Sequence, residues 1–129
     1  MNHPSLTLFV LDIELAVCRL EPNESVPDWV AQSPFYSVTR TQDELSIVCA
    51  QSDAPQNIQS EKGWACLKVQ GPLDFSLTGI LNALTAPLTE AGISIFAIST
   101  FDTDYLMVKQ TDLEAAIETL IQFGHQIQR

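Results

Sequence analysis

Asp102 and Asp104 lie two residues apart in the segment STFDTDY, so on an extended chain both carboxylates can share one face. That is the arrangement an acid–base pair or a divalent metal would use. Oxygen ligands alone, with no histidine clustered beside them, make a weak metal pattern. Residues two apart in a turn share a face in any case, and Asp102 reads as a turn residue. Ser76 could be imagined as a nucleophile, but His3 and His125 both stand near the chain ends and helix capping accounts for a serine there more simply. Residues 71–79, GPLDFSLTG, have neither the Walker nor the dinucleotide spacing and read as no phosphate loop. Cys18, Cys49 and Cys66 are odd in number and too far apart for a Cys-x-x-Cys pair; each lies in an apolar, strand-like run. They read as buried thiols of a reducing compartment. Trp29, Trp64 and Phe96 read as packing residues. No catalytic set, metal site or cofactor loop emerges, so the chain is not expected to be an enzyme.

The elements that must position these residues are clearest in the C-terminal half. Residues 64–70, WACLKVQ, form a strand stopped by Gly71-Pro72. Leu77, Ile80, Leu81, Leu84 and Leu88 follow helical spacing and predict a helix over 76–91, capped by Asp74 or Ser76 and closed by Gly92. Pro87 inside it removes one main-chain hydrogen bond and predicts a kink in the last turns. ISIFAISTF (93–101) and YLMVK (105–109) are strands on either side of the aspartates, running antiparallel. A second helix follows over 111–124, with capping-box spacing at Thr111 and Glu114, an apolar stripe of Leu113, Ile117, Leu120 and Ile121, and Gly124 at its end. HQIQR supplies a short last strand. The order β-α-β-β-α-β is the ferredoxin-like arrangement.

The N-terminal half resembles a worn copy of the same plan. FYSVTRTQDELSIVC (35–49) lies beside SIFAISTFDTDYLMV, with Glu44 matching Asp104, and Val38, Ile47 and Val48 matching Ile98, Met107 and Val108. LAVCRL (15–20) is the copy's first strand, PDWVA (27–31) a shortened first helix, and SDAPQNIQSE holds at most a residual second one. LTLFV (6–10) is an additional strand. The expected fold is α+β, two tandem ferredoxin-like halves, residues 1–62 and 63–129, the first degenerate.

Apolar residues make up 46% of the 129 and charged residues 17%, which suits a packed core and argues against disorder. Six Lys and Arg against 16 Asp and Glu give a net charge of -10. A surface this negative, with no basic patch, repels phosphate backbones, so nucleic acid and anionic membranes are not expected partners. The N-terminus lacks a basic leader, and Asp12 and Glu14 interrupt its apolar run, so neither a signal peptide nor a membrane span is expected and the cytoplasm is the expected location.

Residues 70–109, QGPLDFSLTGILNALTAPLTEAGISIFAISTFDTDYLMVK, resemble one branch of the ACT family, that of the CASTOR-type cytosolic arginine sensors and small bacterial ACT proteins. The glycine-containing helix start, APL-x-x-AGIS and ISTF-x-x-D carry the resemblance; AVCRL, VPDW, SVTRT and DELSIVC extend it toward the bacterial members. It implies paired ACT domains, a homodimer, and an amino acid held at the interface so formed. It implies further that the ligand is held by the loop and helix start at Asp74, Ser76, Leu77, Gly79 and Ile80, and by Thr100, Phe101 and Asp104.

The residue types suit that role. N–H groups at a helix start near Ser76 and Gly79 attract a carboxylate, and glycine permits close approach. Asp104 offers a charge-assisted partner for an ammonium or guanidinium. Thr100 can add hydrogen bonds and Phe101 can cover an aliphatic segment. For Asp104 the ligand role and the turn role stand side by side. The arginine sensors carry a glycine in place of Asp74 and an acid in place of Leu77, so arginine specificity does not transfer and a smaller or neutral amino acid fits at least as well. The alternative is a dimerisation module with no ligand.

Overall fold

The hydrophobic spacings and turn signals resolve, in the computed structural model, into eight strands and two helices; the structure describes residues 4–73 and 78–129. In chain order these are β1 Thr7–Val10, β2 Leu15–Leu20, β3 Tyr36–Arg40, β4 Leu45–Ala50, β5 Gln59–Val69, α1 Ile80–Glu90, β6 Ile95–Ser99, β7 Asp104–Lys109, α2 Leu113–Gln122 and β8 Gln126–Gln128. The fold is α+β and built on the ferredoxin-like plan, with the C-terminal half complete as β5-α1-β6-β7-α2-β8.

The chain divides into two compact units: Ile13–Trp64 is one, and the described residues up to Asp12 join Ala65–Arg129 in the other. The first strand thus belongs with the C-terminal residues and not with those that follow it. Its pairings are the reason. β1 runs antiparallel to β5, with Leu8 opposite Val69, and parallel to β8, with Leu8 opposite Ile127. Leu8 is fully buried in that unit's core beside Leu67, Leu84, Leu106 and Leu120. The discontinuous unit therefore has the strand order β6-β7-β5-β1-β8.

Its two helices pack an apolar stripe into this core: Leu84 and Leu88 from α1, Leu113, Ala116, Ile117 and Leu120 from α2. Ile121, expected on the stripe, is 52% exposed. Both helices end in the same two-bond motif. Gly92 and Ile93 donate to Thr89 and Leu88, and Gly124 and His125 donate to Ile121 and Leu120. Their starts differ from expectation. α1 begins at Ile80 with Gly79 at its N-cap position, and the expected caps Asp74 and Ser76 lie outside the described residues. In front of α2 a 3-10 turn, Gln110–Asp112, makes Asp112 the N-cap, and the spacing of Thr111 and Glu114 forms no capping box.

The continuous unit has the strand order β3-β4-β2-β5, all antiparallel, using the first half of β5. Where the other unit has helices this one has 3-10 turns, Asp28–Gln32 and Gln51–Asp53. Prolines limit them. Pro34 and Pro55 hold the preceding Ser33 and Ala54 in extended backbone, which stops each turn. Ala16, Cys18, Val30, Leu45, Ile47, Cys49 and Ala54 form the core, with Trp29 packed against it.

Candidate functional site

Thr100, Phe101 and Asp104 come together in one structure, the four-residue turn between β6 and β7. Ser99 pairs with Asp104 at its base. Thr100 closes the turn: its N–H donates to the Thr103 carbonyl at 2.8 Å and its hydroxyl to the same oxygen at 3.0 Å. The Thr103 N–H returns to Thr100 Oγ1 at 3.3 Å. Both donors of Thr100 are thus engaged in the turn, so the hydroxyl's remaining capacity is as an acceptor. Phe101, at the tip, is 80% exposed, and Asp104 is half-buried at the start of β7.

The turn is fastened to the loop that leaves β5. Thr103, only 3% exposed, donates its hydroxyl to the Val69 carbonyl at 2.7 Å. Leu73 donates its N–H to the Asp102 carbonyl at 2.6 Å. Gly71 makes the approach possible, since a Cβ there would stand 3.0 Å from both the Asp102 carbonyl oxygen and Thr103 Cβ. Sequence reasoning named the residues flanking this junction but missed Thr103 and Gly71, which make it. Gly71 carried a signal, read only as a strand stop; Thr103 carried none.

Past the loop, Asp74, Ser76 and Leu77 lie outside the described residues. Gly79 has φ +77, a left-handed conformation that favours glycine, and open space around it. Ile80 is the first residue of α1. Among the described residues the helix start has no side-chain cap, and its first turn holds no acidic residue. The N–H groups of Ile80, Leu81 and Asn82 have no acceptor within the helix, and the positive end of the helix dipole lies at them. Asp104 supplies negative charge at the other segment. A carboxylate acceptor and a helix start suit the two charges of a zwitterion.

The continuous unit contains a turn of the same construction, Thr41 to Glu44 between β3 and β4. Thr41 N–H donates to the Glu44 carbonyl at 2.9 Å, and Glu44 N–H returns to Thr41 Oγ1 at 3.2 Å. Arg40 pairs with Leu45 at its base as Ser99 pairs with Asp104. The two hairpins share this construction, but the expected match of Glu44 with Asp104 is off by one residue: Leu45 stands where Asp104 stands. A one-residue slip exchanges the faces of a strand. Here Asp43 occupies the place of Asp102, and its carbonyl receives the Arg19 guanidinium at 2.9 Å instead of a loop N–H. Arg40 donates to the Pro22 carbonyl, fastening the loop after β2 to this hairpin.

The thiols are all free and buried. Burial pushes Cys66 up to about 12; burial, and then the neighbouring Cys18, push Cys49 up to about 12. Cys18 is raised as well, again by burial. None carries the low-pKa, exposed character of a nucleophile or redox centre. Among the described residues, no three His, Cys, Asp or Glu side chains gather as a metal site, and no helix is long and apolar enough to cross a membrane.

A family model for the ACT domain matches residues 59–122, and a model for an N-terminal domain matches residues 14–57. A protein of known crystal structure from Agrobacterium tumefaciens is 42% identical, with 97% of this chain and 93% of that one covered and a TM-score of 0.92. The cytosolic arginine sensor for mTORC1 subunit 1 of Bos taurus is 28% identical over 97 residues, 67% of this chain and 30% of the sensor. This chain thus spans less than a third of the sensor's length. The aspartate kinase of Clostridium acetobutylicum shares the fold, with a TM-score of 0.66 at 15% identity over 88% of this chain and 33% of the kinase.

Proposed function

The chain belongs to the ACT-domain family, in the branch related to the cytosolic arginine sensors, and from that premise we propose that it is a regulatory module that binds an amino acid. The observation that carries this reading is the junction of the β5 loop with the β6–β7 turn. Hydrogen bonds of 2.6 and 2.7 Å hold the two segments together, so the turn bearing Thr100, Phe101 and Asp104 is preorganised before any ligand arrives. The α-carboxylate is assigned to the start of α1 at Gly79 and Ile80, with Asp74, Ser76 and Leu77 in the segment leading to it. The ammonium is assigned to Asp104, and Phe101 is to cover the ligand's aliphatic part. The site is placed at an interface between ACT units of two chains in a homodimer, where Phe101 would lose its exposure. The role is binding, not catalysis: no cofactor enters it, and regulation arises if the ligand prefers one association state.

A second reading, a protein-interaction module without ligand, draws on β3. Among the described residues this strand pairs only with β4, and Tyr36 and Val38 are 51% and 36% exposed along it. Thermal unfolding against each common amino acid at millimolar concentration separates the two. A ligand at about 100 times its Kd adds about 2.7 kcal/mol and raises Tm by several degrees. The expected result is a shift with one or two amino acids that is lost in Asp104→Ala and Phe101→Ala. No shift with any amino acid would leave the interaction module as the better account.

A further inference from the structure

His125 is 3% exposed, and both ring nitrogens are bonded to main chain. The Leu6 N–H donates to Nδ1 at 3.1 Å, and Nε2 lies 2.9 Å from the Ala83 carbonyl oxygen. A nitrogen that accepts from an N–H carries no proton, so Nδ1 is the acceptor and Nε2 bears the hydrogen given to Ala83. The ring is held in one tautomer. Leu6 is clamped from the other side as well, since its carbonyl accepts the Gln126 N–H at 2.9 Å.

Ala83 is where the helix needs such a donor. In α1 its carbonyl would ordinarily accept the N–H of residue 87, four positions on, but that residue is Pro87 and has none. Ala83 and Pro87 are both buried, so water offers no easy replacement and the orphaned oxygen would be costly. His125 fills the gap from 42 residues away. The same Ala83 makes the first link of the helix, its N–H donating to the Gly79 carbonyl at 2.9 Å.

We infer that His125 is a positioning residue: its Nε2–H replaces the hydrogen bond that Pro87 denies to Ala83, and thereby holds the first turn of α1 in place. That this turn receives a ligand rests on the function proposed above; the hydrogen-bond replacement does not. A histidine that merely fills space would be indifferent to residue 87, whereas this one is not. Pro87→Ala returns an N–H to the Ala83 carbonyl, so it should rescue the loss of His125.

The experiment is a double-mutant cycle of His125→Phe and Pro87→Ala by urea unfolding, with amide exchange at Ala83 and nitrogen-15 NMR of the wild-type imidazole. Expected are an Nε2–H tautomer and faster exchange of the Ala83 amide, which bonds the Gly79 carbonyl, in His125→Phe. The unfolding equilibrium should worsen roughly 10- to 100-fold in His125→Phe, but several-fold less in the Pro87→Ala background. His125→Gln, which keeps a side-chain N–H donor, should retain part of the effect and serves if His125→Phe does not fold. Equal losses in both backgrounds, or a proton on Nδ1, would overturn the inference. If an amino acid stabilises the wild type, its binding should weaken in His125→Phe and recover with Pro87→Ala. If none does, the ligand reading fails while the cycle and the exchange data still judge the positioning role.

Discussion

Replacing Thr103 by valine tests whether the junction between the β5 loop and the β6–β7 turn holds the candidate site together. Valine keeps the shape of threonine and removes only the hydroxyl, so no cavity opens and the turn's main chain has no steric reason to move. What is lost is the 2.7 Å bond to the Val69 carbonyl, at a position 3% exposed. A buried acceptor that loses its partner costs about 1–3 kcal/mol, and the extra buried methyl returns part of that, leaving a net loss of about 1–2 kcal/mol. With a urea dependence of about 2 kcal/mol per M, the midpoint of unfolding should fall by about 0.5–1 M. Thr103→Ser, which keeps the hydroxyl, should fall by clearly less. Thr100→Val is the companion: its hydroxyl serves an exposed turn and its main-chain bond to Thr103 remains, so the loss should stay below about 1 kcal/mol. Thr103→Val should also blunt any amino-acid-induced rise in Tm, because the turn is no longer fixed against the loop. A midpoint for Thr103→Val within 0.2 M of wild type, measured on a protein that unfolds in two states, would refute the assignment of this bond as the fastening.

Three further outcomes follow. Gly71→Ala places a Cβ 3.0 Å from main-chain oxygen and Thr103 Cβ, so the loop and turn must separate; a loss of about 1–3 kcal/mol in urea unfolding is expected, and an unchanged midpoint would mean the approach is not tight. None of the three buried thiols should react with Ellman's reagent at pH 8 until the chain is unfolded. Since burial raises Cys66 from 9.0 to about 12, the unfolded chain alone releases this proton above pH 9. Stability present below pH 9 is therefore lost as pH rises toward 12, by about 1.4 kcal/mol per unit for this thiol, and Cys66→Ala should show a shallower alkaline fall than wild type.

The sequence disclosed what local spacing decides and concealed what distant partners decide. Leu84, Leu88, Leu113, Ile117 and Leu120 announced two helices by period, and all five are buried. Gly92 and Gly124 announced the ends of those helices and supply them. The start of α1 was misplaced because the apolar spacing reaches back to Leu77, while the helix is led by Gly79 with positive φ, which no hydrophobic period reveals. β1 was visible as a strand, but TLFV says nothing of its neighbours, and only the pairings with β5 and β8 assign it to the C-terminal residues. Thr103 sits between two aspartates in a polar turn; its burial depends on Val69, 34 residues earlier. Pro87 was read correctly as a residue that removes a hydrogen bond, yet the donor that replaces it belongs to His125, which looked like a terminal histidine.

The two hairpin turns explain why one half of the repeat carries the candidate site and the other does not. Their main-chain hydrogen bonds match, with Thr41 and Thr100 in the same role, so the difference lies in side chains. Where the discontinuous unit presents the half-buried carboxylate of Asp104, the continuous one presents Leu45, which is fully buried in its core. Where the first has the start of α1, led by Gly79, the second has a five-residue 3-10 turn, too short to build a helix dipole. The loop after β2 is tied down by arginines of its own hairpin and strand: Arg19 bonds both Glu21 and the Asp43 carbonyl, and Arg40 bonds Pro22. Neither pole needed to hold a zwitterion is present there, and guanidinium groups of the chain itself take the carbonyls of that loop and turn. The continuous half has the same turn scaffold without that pair. Under the proposed function, Asp104 and the start of α1 are therefore the positions at which substitution should abolish an amino-acid response, while the Thr41–Glu44 turn should not matter.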